Sequence, residues 1–157
     1  MDADIRALTP NEYPLLEDFL YHAIFLPPGV APPPREILQD PALRVYVDGF
    51  GTRPGDYALG AEVGGQIVGA VWCRIMQDYG HIDDETPSFA ISLLPAHRGR
   101  GIGTALMRAM LDTLRAAGYA RCSLAVQKEN YAVRMYRKVG FTVVDENAQE
   151  YIMLCRL

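Results

Sequence analysis

The sequence has few cysteines, no excess of basic residues and no long apolar run, and each absence excludes a class of protein. Its three cysteines, Cys73, Cys122 and Cys155, have no CxxC spacing and do not cluster with the three histidines, so we expect free buried thiols rather than a disulfide framework or a metal site. The net charge of −4 argues against a nucleic-acid partner.

The same reasoning extends to membranes and secretion. No apolar stretch approaches the ~20 residues that a membrane span needs, and the acidic N-terminus has no apolar core typical of a secretory signal. We therefore expect a cytoplasmic protein without membrane association. The 157 residues, half of them apolar and 22% charged, are typical of one globular domain over residues 1–157.

Hydrophobic periodicity predicts an alternation of strands and helices. The predicted strands cover residues 5–8, 57–63, 66–76, 88–94, 122–126, 141–144 and 151–154, and the predicted helices cover about 10–25, 35–39, 41–50, 101–117 and 130–139. Residues 43–47 also alternate like a strand, but Asp40 as a cap and Pro41 in the first turn favour a helix there. A hairpin at Gly64-Gly65 and one strand–helix–strand unit together predict an α+β or mixed α/β sandwich.

The segment from Leu93 to Thr104 is the most informative part of the chain. A strand ends, a turn with three alternating glycines follows, and an amphipathic helix begins. Helix N-termini expose unpaired N–H groups and partial positive charge, and Arg98 and Arg100 add guanidinium forks that suit phosphate oxygens. This pattern predicts a diphosphate site, the alternative being a tight turn with solvated arginines.

Two common nucleotide motifs do not fit the segment. A dinucleotide-binding GxGxxG beginning at Gly99 would need glycine at Thr104. A P-loop would need Gly-Lys followed by Ser or Thr, and neither Gly101 nor Gly103 precedes a lysine.

Two motifs do resemble one family. Arg98 to Gly103 fits the Arg/Gln-x-x-Gly-x-Gly/Ala signature of the GNAT acetyltransferase superfamily. Asn130 to Phe141, with Tyr136 and Gly140 inside it, is similar to the family's Asn…Tyr-x-x-x-Gly-Phe segment. The order of the two motifs also matches, and the resemblance covers about residues 89–144.

The resemblance implies a mostly antiparallel twisted sheet, splayed in a V and covered by helices on both faces, with acetyl-CoA in the V. The implied cofactor-binding residues lie at the end of the strand before the glycine turn, in the turn itself, and in the second motif on the opposite side of the V. They are Leu93, Leu94, Arg98, Gly99, Arg100, Gly101, Ile102, Gly103, Thr104, Asn130 and Tyr136. The implied activity is N-acetyl transfer to a primary amine, on a small molecule or a peptide, and a homodimer is compatible with the family.

Catalysis needs a proton for the departing thiolate and a base for the amine. By resemblance Tyr136 supplies the proton. Glu85 and then Asp84 are the expected bases, with His81 or a merely solvated acidic loop as alternatives. Phe25, Trp72 and Tyr79 are candidate acceptor contacts, although core packing explains Trp72 equally well.

Two other hypotheses remain. Cys122 could carry an acetyl group covalently, but no paired base in the sequence lowers the pKa of its thiol, which favours direct attack in a ternary complex. A non-catalytic acyl-CoA-binding or sensing module is the second alternative, and a thiolate acid such as Tyr136 argues against it.

Overall fold

The computed structural model describes residues 2–157, in which seven strands form a single sheet with helices against it. The strands are β1 (Asp4–Ala7), β2 (Tyr57–Val63), β3 (Gln66–Arg74), β4 (Ser88–Leu93), β5 (Arg121–Gln127), β6 (Thr142–Glu146) and β7 (Glu150–Arg156). The helices are α1 (Leu15–Ala23), α2 (Pro41–Arg44), α3 (Ile102–Ala116) and α4 (Val133–Lys138). Single 3-10 turns cover Pro10–Glu12, Arg35–Gln39 and Pro95–His97.

The sheet opens in the middle. Its strand order is β1-β2-β3-β4-β5-β7-β6, and every neighbouring pair is antiparallel except β4 and β5. These two parallel strands share one register pair, Ser88 with Ser123, where the N–H of Ser123 donates to the carbonyl of Pro87 at 2.9 Å. Beyond that pair the strands separate, which confirms the predicted V between the strands of residues 88–94 and 122–126.

Each face of the sheet carries its own apolar core. Helix α3 buries one stripe, including Leu106, Met110 and Leu114, against one face. Helix α1 and the segment after it bury Leu16, Phe19, Leu20 and Trp72 on the other. The helices therefore lie on both faces, as expected for this mixed α and β fold.

The predicted helices are shorter in the structure than their sequence patterns. The predicted helix over residues 10–25 is divided into a 3-10 turn and α1, because Pro14 between them has no N–H to continue the hydrogen-bond ladder. Residues 41–50 form only one α-helical turn before further turns, with the N–H of Ala42 donating to the predicted cap, Asp40, at 2.9 Å. The strand predicted to reach Met76 ends at Arg74.

Candidate active site

The turn between β4 and α3 presents a row of free backbone donors. Among residues 2–157, none of the six N–H groups from Gly99 to Thr104 has a hydrogen-bond acceptor, and the first helical bond runs from Ala105 to the carbonyl of Gly101 at 3.1 Å. Donors that converge at a helix N-terminus bind anionic oxygens. The structure therefore presents an array of backbone donors at this turn, and the diphosphate as its ligand stays a prediction.

Glycine is required in this turn for its backbone conformation. Gly99 and Gly101 have φ of +76° and +83°, a region that other L residues rarely adopt. A Cβ added at either position would meet no heavy atom within 4 Å, so the space beside the turn is open for a ligand.

The side chain of Arg98 does not face the donor array. Its Nε donates to the carbonyl of Leu93 at 3.1 Å, and its Nη2 donates to the carbonyl of His22 at 3.3 Å. Both bonds tie the turn to β4 and to the end of α1, so the guanidinium is bonded to carbonyls in this structure, and the expected contact with phosphate stays a prediction. Arg100 is exposed and remains the arginine at the turn available to an anion.

The edge of β4 that faces the V provides further backbone groups. The N–H of Leu94 donates to the carbonyl of Val68 at 2.8 Å, so Leu94 pairs with β3 and does not present this donor to the V. Because backbone groups alternate in an antiparallel ladder, Ile91 and Leu93 direct theirs toward β5. Ile91 was not predicted as a site residue, since only the β3–β4 register reveals which strand residues face the V.

The far wall of the V is formed by β5 and α4. A Cβ on Gly103 would lie 3.3 Å from the sulfur of Met135, so α4 packs directly beside the first turn of α3. Asn130 lies in the turn before α4, where its Oδ1 accepts a hydrogen bond from the N–H of Ala132 at 2.9 Å. Its amide nitrogen has no partner among the described residues and remains a donor.

Tyr136 lies on α4 and is only 7% exposed. Its ring packs edge-on against Phe141 with centroids 6.2 Å apart, and Phe141 packs in turn against Phe89 of β4 at 5.4 Å. Its hydroxyl has no hydrogen-bond partner in the described part of the chain. Burial raises the pKa of Tyr136, so the hydroxyl keeps its proton at neutral pH.

The two carboxylates predicted as bases lie away from the open end of the V. Glu85 is exposed and the Asp84 side chain is 86% exposed, both in the loop before β4, whereas the donor array follows the other end of that strand. The structure thus leaves Asp84 and Glu85 in solvent, and their role as bases stays a prediction. His81 bonds locally, through Nδ1 to the Met76 carbonyl at 2.8 Å.

A different carboxylate lies where β4 and β5 diverge. Asp78 receives a hydrogen bond from the Tyr46 hydroxyl at 3.0 Å and another from the Ser88 hydroxyl at 2.7 Å. Burial raises the pKa of Asp78. Nothing in the sequence singles out Asp78 among the acidic residues before β4, because its partners come from other elements.

The three predicted acceptor contacts have different environments. Trp72 is fully buried on β3, and its Nε1 donates to the carbonyl of Tyr46 at 3.1 Å, so it is a core residue and cannot touch a substrate. Tyr79 is exposed in the loop that follows β3, next to Asp78. Phe25 is partly buried just after α1, three residues beyond the carbonyl that binds Arg98.

The three cysteines are free and buried. A hydrogen bond with Cys155 and burial both raise the pKa of Cys122, which disfavours the thiolate that an acetyl-cysteine route needs. Across residues 2–157 no group of His, Cys, Asp and Glu side chains could hold a metal ion. Within the same residues, no helix has the length and apolar character that crossing a membrane requires.

A splayed sheet with backbone donors at the mouth of the V defines a class of proteins that hold a diphosphate-containing ligand between two strands. Residues 20–141 match the model of the Acetyltransferase (GNAT) family. The chain therefore belongs to this family.

Solved structures support the fold over the full length. The paia N-acetyltransferase from Thermoplasma acidophilum, solved in complex with coenzyme A, superposes with a TM-score of 0.72 at 18% identity and full coverage of both chains. A putative acetyltransferase, yncA, from Salmonella typhimurium with its cofactor acetyl-CoA gives 0.69 at 18% identity, covering 100% of this chain and 95% of that one.

Curated relatives are similar over part of the chain. A mycothiol acetyltransferase from Streptosporangium roseum is 35% identical over 79 residues, which are 49% of this chain and 23% of that protein. A [ribosomal protein bS18]-alanine N-acetyltransferase from Haemophilus influenzae is 31% identical over 86 residues, 55% of each chain. The match thus spans from about a quarter to about half of these two relatives.

Proposed function

We propose that this protein transfers an acetyl group from acetyl-CoA to a primary amine, by direct attack in a ternary complex. The observation that supports this most is the array of six unpaired N–H groups from Gly99 to Thr104 beside an open V, in a member of the acetyltransferase family. Such an array suits the diphosphate of coenzyme A.

The backbone supplies most of the binding groups. The free N–H groups of the turn hold the diphosphate, with Arg100 beside them. The V-facing groups of Ile91 and the N–H of Leu93 pair with the amides of the pantetheine arm as a neighbouring strand would. The amide nitrogen of Asn130 binds the arm from the opposite wall.

Acetyl-CoA supplies an acyl group activated as a thioester. Tyr136 holds a proton for the sulfur, because its hydroxyl has no other partner among the described residues and its raised pKa keeps it protonated. A pure acyl-CoA-binding module would have no need for such a donor, so the site favours transfer over binding alone.

The acceptor is a primary amine on a small molecule or a peptide. The names of the two relatives refer to mycothiol and to an alanine of ribosomal protein bS18. Tyr79 and Phe25 are the proposed acceptor contacts that remain once Trp72 is assigned to the core.

Binding is tested first, by calorimetry and thermal shift with acetyl-CoA, CoA, ATP and NADH. A ligand at 100 times its Kd adds about 2.7 kcal/mol of stability. We expect a response to both CoA forms and none to ATP or NADH. No response to either CoA form would contradict the proposed ligand.

Transfer is then measured by thiol release with a panel of amines: an alanyl peptide, a cysteinyl peptide, a polyamine and an aminoglycoside. Tyr136→Phe is expected to lower kcat about a hundredfold or more, in the range of general acid catalysis, with the CoA Kd unchanged. Tyr131→Phe is the matched control, since Tyr131 is 79% exposed just before the same helix. An unchanged kcat in Tyr136→Phe would remove the acid role.

A further inference from the structure

We propose that Asp78 is the general base, the group that takes the proton from the acceptor ammonium. This assignment rests on the proposed acetyl transfer. It replaces Asp84 and Glu85, which the structure leaves in solvent at the outer part of the same loop.

The position of Asp78 is fixed by contacts on both sides of the V. Its partner Ser88 is the one β4 residue in register with β5, through Ser123. Gly80, two residues after Asp78, packs directly against β5. Its carbonyl accepts a hydrogen bond from the Ser123 hydroxyl at 2.7 Å, and an added Cβ would lie 2.8 Å from the backbone nitrogen of Ala125. The segment 78–80 therefore crosses the vertex where the strands begin to separate.

Asp78 also lies on the face of the sheet opposite α3. Ser88 and Ser92 alternate with Phe89 and Ile91 along β4, and the latter two pack in the α3-side core. Ser92 faces α1, where its hydroxyl donates to the Phe19 carbonyl. Asp78 thus lies near the vertex on one face of the sheet, and Tyr136 lies in the core on the other face, which separates the group that takes a proton from the group that gives one.

The hydrogen-bond pattern prepares Asp78 to accept a proton. Each carboxylate oxygen accepts a hydrogen bond from one hydroxyl group, which holds the orientation of the carboxylate. Tyr46 is 8% exposed and Ser88 1%, whereas Asp78 is only partly buried, so it is the member of the cluster that a solute can reach. Burial raises its pKa, which makes it a stronger base than a solvated aspartate.

The proton balance of the step is complete. One ammonium proton moves to an Asp78 oxygen and then to solvent, and the neutral amine nitrogen forms the C–N bond as the thioester C–S bond breaks. The departing sulfur takes the Tyr136 proton. The nitrogen loses its second proton to solvent as the amide forms, and Tyr136 regains one from solvent.

Few other titratable groups surround the cluster. Burial and the nearby carboxylate of Asp78 raise the pKa of Tyr46, so it stays a neutral donor. Tyr79 on the same loop and Glu150 at the start of β7 act on Tyr46 in the same direction. The described residues place no cation in hydrogen-bond or ion-pair contact with Asp78, which leaves its charge available to an ammonium ion.

The test compares Asp78→Asn with Asp84→Asn, using the best amine of the panel described above. We expect Asp78→Asn to lower kcat at least a hundredfold with an unchanged CoA Kd, and Asp84→Asn to match the unchanged protein. If Asp78→Asn keeps kcat within threefold, the assignment is overturned. If the unchanged protein acetylates none of the amines, the proposed function fails, and the base assignment fails with it.

Tyr46→Phe and Ser88→Ala keep the carboxylate and test its chemistry without removing it. Each removes a hydrogen bond that lowers the pKa of Asp78, so the acidic limb of kcat/KM against pH is expected to move to higher pH on the same amine. A purely structural cluster would lower activity at every pH and leave the limb in place, and that result would overturn the proposal.

Discussion

The buried ion pair between Arg74 and Asp56 allows a sharp test of what stabilises the fold. Arg74 is fully buried and the Asp56 side chain is 1% exposed. The guanidinium binds both carboxylate oxygens at 3.0 Å through Nε and Nη2, and its Nη1 donates to the carbonyl of Asp48 at 2.6 Å. Arg74→Met keeps most of the apolar stem and leaves the Asp56 carboxylate buried without its cation.

Removal of one partner from a buried pair costs about 3–5 kcal/mol. For a domain of this length the loss corresponds to a fall in Tm of roughly 6–20 °C, at about 2–4 °C per kcal/mol. The assay is urea unfolding followed by the fluorescence of Trp72, the only tryptophan, which is fully buried. A loss below about 1 kcal/mol would refute the reasoning.

Two controls isolate the electrostatic origin. Arg35→Met breaks the ion pair with Asp18, in which both side chains are half exposed, and is expected to cost no more than about 1 kcal/mol. Adding Asp56→Asn to Arg74→Met removes the stranded charge and should recover part of the lost stability. A double variant as unstable as Arg74→Met alone would show that packing and the bonds of the guanidinium to backbone carbonyls, not the stranded charge, dominate.

Three further predictions concern the turn, the loop and pH. Gly101→Ala should cost about 1–2 kcal/mol of stability in backbone strain and weaken CoA binding in calorimetry. Gly65→Ala, also at φ +83° but in the β2–β3 hairpin, should leave CoA binding unchanged. Equal effects of the two variants on the CoA Kd would contradict this prediction. Gly80→Ala should lower kcat more than CoA affinity in steady-state assays, because the added Cβ would push the loop off β5. A larger loss of CoA affinity than of kcat would contradict this prediction. Hydrogen bonds from Arg6 lower the pKa of Glu12 to about 2 from 4.5, so the stability that the Glu12 carboxylate contributes is complete above pH 4.5 and is lost toward pH 2. Glu12→Gln should flatten the curve of unfolding free energy against pH in that range. An unchanged curve would contradict the prediction.

Local patterns in the sequence were sufficient for the elements of an α+β sandwich and for the donor array, whereas the V in the sheet was expected from the family resemblance. The apolar spacing of α3, the glycines at 99, 101 and 103, and the hairpin at Gly64-Gly65 depend on neighbouring residues alone. Each of these predictions concerned backbone groups, whose direction follows from local structure.

Side-chain directions set by distant partners could not be predicted. Arg98 is turned toward the carbonyl of His22, 76 positions earlier, and Asp78 is held by Tyr46, 32 positions earlier. Trp72 is buried because helices cover both faces of the sheet, which its own strand does not reveal. The missing information was which elements pack together, and that is a tertiary property.

The single register pair between β4 and β5 has a consequence for solubility. Beyond Ser88 and Ser123 the V exposes two facing strand edges in the interior of one sheet rather than at its border. Unpaired edges invite a foreign strand, as in aggregation by edge-to-edge pairing, and a ligand that pairs with Ile91 and Leu93 would occupy one of them. We therefore expect bound CoA to reduce aggregation on heating by more than the increase in the free energy of unfolding alone would explain.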